Sequence, residues 1–573
     1  MKRAVCLTLA IIFSVSACTK HVSTDPSDTD PVLQESGSVS EPVSFVMFAD
    51  SYEVKEKSSD NEIMNLIAEK TGVKVKEVGI TGTMNTSHLA DDMIYAAESI
   101  PDFLYMSDAH KFYENELLVA WDPYLIKYPE LKALHTAEEW DRLRQSDGHI
   151  YWADFSDCQY QKDTTVYHEG EAFWIQVRVL EWAGFPVIET LDEYFDLLES
   201  YAASNPEMPD GSTVIPYACL RYNLGYRTIG KPPAYLDGYQ DNGDVSVIQD
   251  ENTGKPVVID YNTSDTAKTY FKKLNGKYHE GVLDNGFSDD LYHDYLDKIL
   301  TGRVLGFFDQ YRSIEKVYTN DAFSKTLKTP DGSKYTLREI GCDYVPLAIV
   351  NEKGVPNHYH SYNVMNMDKG LMVTNKCKDP DKAFEFFCAL LSQDIHDLRF
   401  WGIEGTDYLI GSDGLYYRTD EMRDNWENNN YIVDYTCEYS FLPHWHGMSR
   451  DGVNRMLPGE QPSEFRSRLA EPVLKCFDAY NVENYVDMLG SVNCGPYPSN
   501  PLTDWPGYIK PDDSSALGNT WNKIDKCKDE WFVQLIMCDD FDSTWNEYLA
   551  AYEACNPQVF LDEAQNEADR RCG

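Results

Sequence analysis

The chain has 573 residues, 42 % of them hydrophobic. That is beyond the roughly 250–300 residues at which a single core stops growing, so more than one core is expected. A formal charge of −45, from 95 acidic against 50 basic side chains, repels phosphate backbones and anionic head groups and argues against nucleic-acid binding and polybasic membrane docking. After Val15 no apolar run approaches the roughly 18 residues that would suggest a membrane-spanning helix.

Met1-Lys2-Arg3, the apolar stretch Ala4–Val15 and the small residues Ser16-Ala17 before Cys18 have the order of a secretion signal over residues 1–17. Ser16-Ala17-Cys18 resembles the lipobox of bacterial lipoproteins. That resemblance implies cleavage before Cys18, a lipid on its thiol and a mature protein held at the extracytoplasmic face of the cell membrane. An ordinary signal with an incidental cysteine is the alternative. Residues 18–42 are rich in Ser, Thr, Asp and Pro and predict a flexible tether.

The body, 43–573, opens with an apolar strand at Val43–Phe48. Ser59 and Glu62 form an S-x-x-E capping pattern before Ile63, Leu66 and Ile67 at helical spacing, and Gly72 stops that helix. Val73 and Val75 alternate as a second strand. A helix around Asp91–Ser99 leads to the strand Phe103–Met106, and this alternation predicts a parallel sheet with right-handed crossovers. Further on, Phe173–Ala183 reads as a helix ended by Gly184 and Pro186. Thr190 with Glu193 launches another helix carrying Tyr194, Leu197, Leu198 and Tyr201. Ala267, Tyr270 (or Phe271), Leu274 and Tyr278 mark a further one. Asp379-Pro380 caps a helix with Phe384, Phe387, Cys388 and Leu391. Trp545, Tyr548, Leu549 and Tyr552 share a face near the end. The acids Asp539, Asp540 and Asp542 read as a solvated helix start.

Setting Cys6 and Cys18 aside, the cysteines from Cys158 to Cys572 show no C-x-x-C pair and no zinc spacing, so buried free thiols are expected, with one or two bridges that sequence cannot pair as the alternative. No G-x-S-x-G elbow, P-loop or G-x-G-x-x-G occurs, and His168-Glu169 lacks the second histidine of H-E-x-x-H. No catalytic residue, metal site or cofactor is therefore assigned. His444 and His446 alternate on an extended segment, which points them to opposite faces. The 39 Tyr and 12 Trp, many in loops beside Asp, Asn and His, suit the C–H faces and hydroxyl rims of sugars.

Several segments together resemble family 1 extracellular solute-binding proteins, the lipoproteins that feed carbohydrate ABC importers. They are Val43–Phe48, Glu69-Lys70-Thr71-Gly72-Val73, Ile100-Pro101-Asp102-Phe103, Trp121-Asp122-Pro123-Tyr124, Asp147–Trp152, Phe173–Pro206, Asp379–Asp407 and the helices from Trp531 to Arg571. Two departures stand out. Glu189 occupies a position where many relatives have proline. Asn205–Ser212 replaces a calcium-loop-like stretch and reads as a plain turn.

The resemblance implies an α/β, two-lobed periplasmic-binding-protein-like fold with a hinge and an interlobe ligand cleft. One lobe would take about 43–154 and 359–398, the other about 155–358 and 399–573. It implies capture of a carbohydrate, foremost an oligosaccharide, by a monomer that delivers it to ABC permease subunits. The alternatives are a surface glycan-active enzyme and a same-fold binder of a peptide or vitamin precursor.

Strand ends place the expected ligand contacts. Asp50 follows the first strand, and Ser107 and Asp108 follow the third. Trp152 and Asp154 come after the Gly148 turn. Asp309 and Tyr311 follow Val304–Phe308, a run that resembles the family strand ending at a ligand-stacking aromatic. Trp445 and His446 lie in a polar loop of the second lobe.

Overall fold

The computed structural model describes residues 41–50, 61–79, 89–155, 165–168, 170–221, 226–243, 245–250, 252–310, 321–360, 367–437, 439, 444–490, 502 and 515–572. Its first strand, β1 (Val43–Ala49), buries Phe45, Met47 and Ala49 on one face, the period-2 pattern of a strand with one covered side. The helix Glu62–Thr71 follows. Its cap is Asn61, which accepts from the Met64 amide at 2.7 Å and donates to the Thr436 carbonyl at 2.9 Å. Ser59, the expected cap, lies outside the described residues. Gly72, at φ 69°, ends the helix in the left-handed conformation that glycine adopts without penalty. Next come β2 (Val73–Val78), a helix over Leu89–Tyr95, β3 (Phe103–Ser107) and the short β4 (Trp152–Ala153).

The next element corrects the sequence reading. Phe173–Ala183 is not one helix: β5 runs over Glu171–Gln176, and only Val177–Trp182 is helical. Ala172 through Val177 are all essentially inaccessible. A continuous aromatic and β-branched run of this kind is what a central strand covered on both faces needs, and helical spacing mimics it over a few residues. Thr190 and Glu193 then form the expected reciprocal cap of the helix Leu191–Ser204. The remaining main-sheet strands are β6 (Ile215–Ala218), β7 (Val304–Gln310), β8 (Tyr344–Leu347) and β9 (Lys369–Val373). The helices Asp265–His279, Pro380–Ala389 and Phe541–Ala554 carry the apolar faces read from the sequence.

These strands form two sheets, in the orders β2-β1-β3-β9-β4 and β8-β5-β7-β6. In the first, β1 is parallel to β2 and β3, whereas β9 enters antiparallel between β3 and β4. In the second, β6 and β7 are parallel and β5 runs against both β7 and β8. Each sheet has its own core. One gathers Phe45, Phe103, Trp121, Trp152, Phe384 and Phe387; the other gathers Trp174, Tyr194, Tyr217, Phe307, Tyr344, Trp545 and Tyr548. A third, small cluster holds Phe400, Trp401, Tyr408, Trp445 and Met456. Between Tyr408 and Trp445 in sequence, Cys437 and Tyr439 return to the first core. Nine cysteines among the described residues are free thiols, most of them buried. No described helix is long and apolar enough to cross a membrane.

Candidate ligand-binding site

Register fixes which side chains share a sheet edge. In the first sheet Met47 pairs with Phe103 and Lys369 with Ser107, so the carboxyl ends of β1 and β3 lie beside the amino end of β9. Met372 pairs with Trp152 and Leu371 with Ala153, which brings the carboxyl end of β4, and hence Asp154, to the same edge. In the second sheet Glu171 pairs with Gln310, and Leu347 with Phe173. The carboxyl ends of β6, β7 and β8 thus share an edge with the amino end of β5. The chain leaves the first edge after β4 to enter the second at β5, and returns from β8 to β9. The strand ends that these links join lie on the two edges, where ligands lie in open α/β sheets.

The first edge is a polar lattice. The Ser107 amide donates to Asp50 at 2.9 Å, and Lys369 Nζ lies 3.6 Å from the same carboxylate and 5.2 Å over the Tyr105 ring. The Tyr105 hydroxyl donates to buried Asp154 at 2.9 Å. Asp108 adopts φ 61°, the left-handed region that Asp and Asn visit most readily after Gly, and Lys111 Nζ sits 3.3 Å from its carboxylate. Asp368 takes the His110 amide at 2.9 Å and Nδ1 at 2.6 Å. That hydrogen bond and the negative charges of Asp368, Asp108 and Glu114 raise the His110 pKa against the opposing effect of burial. Ligand atoms of Asp108, His110 and Asp368 lie within 4.8 Å of one another, the spacing of a three-ligand metal site. The His110–Asp368 bond and the Lys111–Asp108 ion pair already engage all three.

The second edge centres on Glu171. Its carboxylate accepts from Lys231 at 2.6 Å, Gln310 at 2.8 Å and the Tyr235 hydroxyl at 2.9 Å. Lys231 also reaches Asp241 at 2.5 Å, to which Tyr261 donates. Burial alone would raise the Glu171 carboxyl; the Lys231 ammonium and the three donors outweigh it and hold it at about 2. Asp309 accepts from the Tyr295 hydroxyl at 3.1 Å, while its carbonyl takes the Trp174 indole N–H at 2.9 Å. Sequence reading missed Glu171, Lys231, Gln310 and Lys369. The available signal was the polar residue bounding each buried apolar run, hidden at Glu171 by the helix assignment.

Asp50, Ser107, Asp108 and Asp154 thus share the first edge, and Asp309 lies on the second. Trp152 does not present a face there: it is 2 % exposed in the first core and donates its indole N–H to the Met367 carbonyl at 3.1 Å. Trp445 is likewise buried in the third cluster, stacked on His396 at 5.2 Å and bonded to the Met448 carbonyl at 3.0 Å. His446 pairs with Glu460. Tyr311 and Cys18 lie outside the described residues. A cavity of about 490 Å³ lies between Glu130, Ala133 and Leu134 on one side and Trp445, Met448, Ser449 and Arg450 on the other. It is ligand-sized, yet none of the edge residues lines it.

No protein-family model and no curated protein sequence matches this chain. Solved structures do. An HMO binding ABC-transporter associated solute binding protein from Bifidobacterium longum infantis matches over 92 % of this chain and 99 % of its own, at 15 % identity and TM-score 0.59. The alginate-binding protein AlgQ2 matches over 94 % and 100 %, at 16 % identity and TM-score 0.52. The S. pneumoniae ABC-transporter substrate binding protein FusA, as an EF-hand mutant in complex with fructo-nystose, matches over 92 % and 99 %, at 15 % identity and TM-score 0.52. The chain has the two-lobed α/β fold of these solute-binding proteins.

Proposed function

We propose that this chain is the solute-binding protein of an ABC importer, that it captures an oligosaccharide between the two sheet edges, and that it hands the ligand unchanged to permease subunits. The observation that carries this reading is the likeness in fold over more than nine-tenths of both chains to proteins that bind saccharides. The edges supply the chemistry. Fixed carboxylates, the Gln310 amide and tyrosine hydroxyls satisfy a sugar's hydroxyl groups. Glu171, held at about 2, stays ionised at neutral pH. A glycosidase acid must instead carry a proton there, with its pKa raised.

The lobe division near residues 154, 358 and 398, the cut before Cys18 and a lipid on that thiol belong to the same reading. The two cores support the break near residue 154, with Tyr359 packing in the second core and Cys437 and Tyr439 in the first, and the order of residues 1–18 supports the cut and the lipid.

A panel of mono- and oligosaccharides, peptides and vitamins read by thermal shift and calorimetry tests the proposal. A binder is stabilised by about 2.7 kcal/mol at a hundredfold excess over Kd. The expected result is one-to-one binding of an oligosaccharide that chromatography recovers intact. Cleavage that vanishes on a single carboxylate substitution, or stabilisation by peptides alone, refutes it. Cys18→Ala should move the protein from washed membranes to the soluble fraction; retention on the membrane refutes the lipid anchor.

A further inference from the structure

The geometry points to an uncharged saccharide as the ligand, with uronates and sialylated chains disfavoured; this rests on the saccharide-binding reading above. Recognition of an acidic sugar needs a cation able to turn toward its carboxylate, and a bidentate arginine does this best. The cations described at the two edges are committed elsewhere. Lys369 lies against Asp50 and over the Tyr105 ring. Lys111 sits between Asp91 and Asp108, 3.3 Å from each. His110 is bound to Asp368, and Lys231 bridges Glu171 and Asp241. Asp154 and Asp309 add carboxylates held by tyrosine hydroxyls. Among the described edge residues carboxylates outnumber cations, within a chain of formal charge −45.

Among the described edge residues, an incoming carboxylate would therefore meet a field of its own sign and would have to break an existing ion pair to find a partner. A sugar hydroxyl faces neither cost, because it donates to the very oxygens that repel the acid. The fold itself does not decide the matter, since it also serves an alginate-binding protein and alginate is a polyuronate. The edge residues decide it.

The experiment compares a neutral oligosaccharide, its sialylated form and an oligouronate of equal length by calorimetry, at low and at high sodium chloride. The expected result is binding of the neutral sugar with less than about twofold change between the two salts. Both acidic sugars should bind at least about tenfold more weakly at low salt, a gap that narrows at high salt as screening shortens the reach of the edge charges. Asp108→Asn should shrink the gap by about threefold or more, because asparagine suits the left-handed backbone there, removes one negative charge from the edge and leaves Lys111 held by Asp91 alone. Asp50→Asn, which frees Lys369, provides a second reading should the first variant fold poorly. Equal or tighter binding of the acidic sugars overturns this inference and leaves the saccharide-binding reading standing. If no saccharide binds, both fall.

Discussion

Glu171 and Lys231 are each about one-tenth exposed, so their attraction is little screened and the loss of either partner is costly. Breaking such a pair from one side destabilises by about 3–5 kcal/mol, because a charge stays buried without its counterion. Lys231→Met should show this in urea unfolding at pH 7, and Glu171→Gln with Lys231→Met together should lose less than the single lysine change. Trp152→Ala should cost about 3–5 kcal/mol for a buried aromatic turned into a cavity. It should lower the melting temperature of the unliganded protein; unchanged stability with weakened binding would return Trp152 to the ligand. His396 offers a pH test. Burial first, then the charges of Arg399, Arg450 and His444, depress its pKa to about 3. Its neutral form is favoured by folding, so the stability it contributes is whole above about pH 6.5 and is lost as pH falls toward 3. Asp397 acts in the opposite direction: burial raises it to about 6, so its contribution is present at low pH and lost as pH rises through 6. Comparing wild type with His396→Phe isolates the histidine. Between pH 7 and 5 the variant should lose about 2 kcal/mol less than wild type.

At the scale of elements, Gly370 shows why β9 fits between its neighbours. A Cβ there would come within 2.5 Å of the Ala153 carbonyl oxygen and 2.8 Å of the Asp154 amide. Gly370→Ala should therefore cost about 1–3 kcal/mol through overpacking, read as a lower urea midpoint. Elements with local signals were legible in the sequence. Thr190 with Glu193, Asp379-Pro380 and Gly72 mark their helix ends through bonds that reach only a few residues. β5 was not, because Phe173, Val177 and Leu180 fit helical spacing while the strand is set by partners at Phe308 and Leu347. The same division runs through the candidate site. Asp50, Ser107, Asp108 and Asp309 could be placed at strand ends from the strands alone. The burial of Trp152 and Trp445 depends on Met367 and His396, and no local pattern reveals contacts at that distance.

For the whole molecule, each sheet carries its own core, and rotation of two such bodies against each other is a common route to closure around a ligand. A ligand touching both edges favours the closed arrangement by its extra contacts there. Small-angle scattering should show a smaller radius of gyration with saturating oligosaccharide than without; identical curves would mean that binding does not move the lobes. The third cluster and the return of Cys437 and Tyr439 to the first core add a further tie, which Asn61→Ala would loosen by removing both the helix cap and the bond to Thr436.

The position of β9 inside the first sheet has a consequence for biogenesis. Val373 pairs with Phe103, so the sheet that begins the body remains unfinished until the ribosome has passed the middle of the chain. The second sheet, placed between them in sequence, can close earlier. Contacts of such long separation are slow to form, and until β9 arrives β3 and β4 present open edges. A fragment of residues 43–155 should accordingly aggregate or lack fixed tertiary signals in near-ultraviolet circular dichroism. Co-expression with residues 367–439 should restore a soluble complex. The first sheet thus waits for β9, and the second core waits longer still for Trp545 and Tyr548 near the carboxyl end.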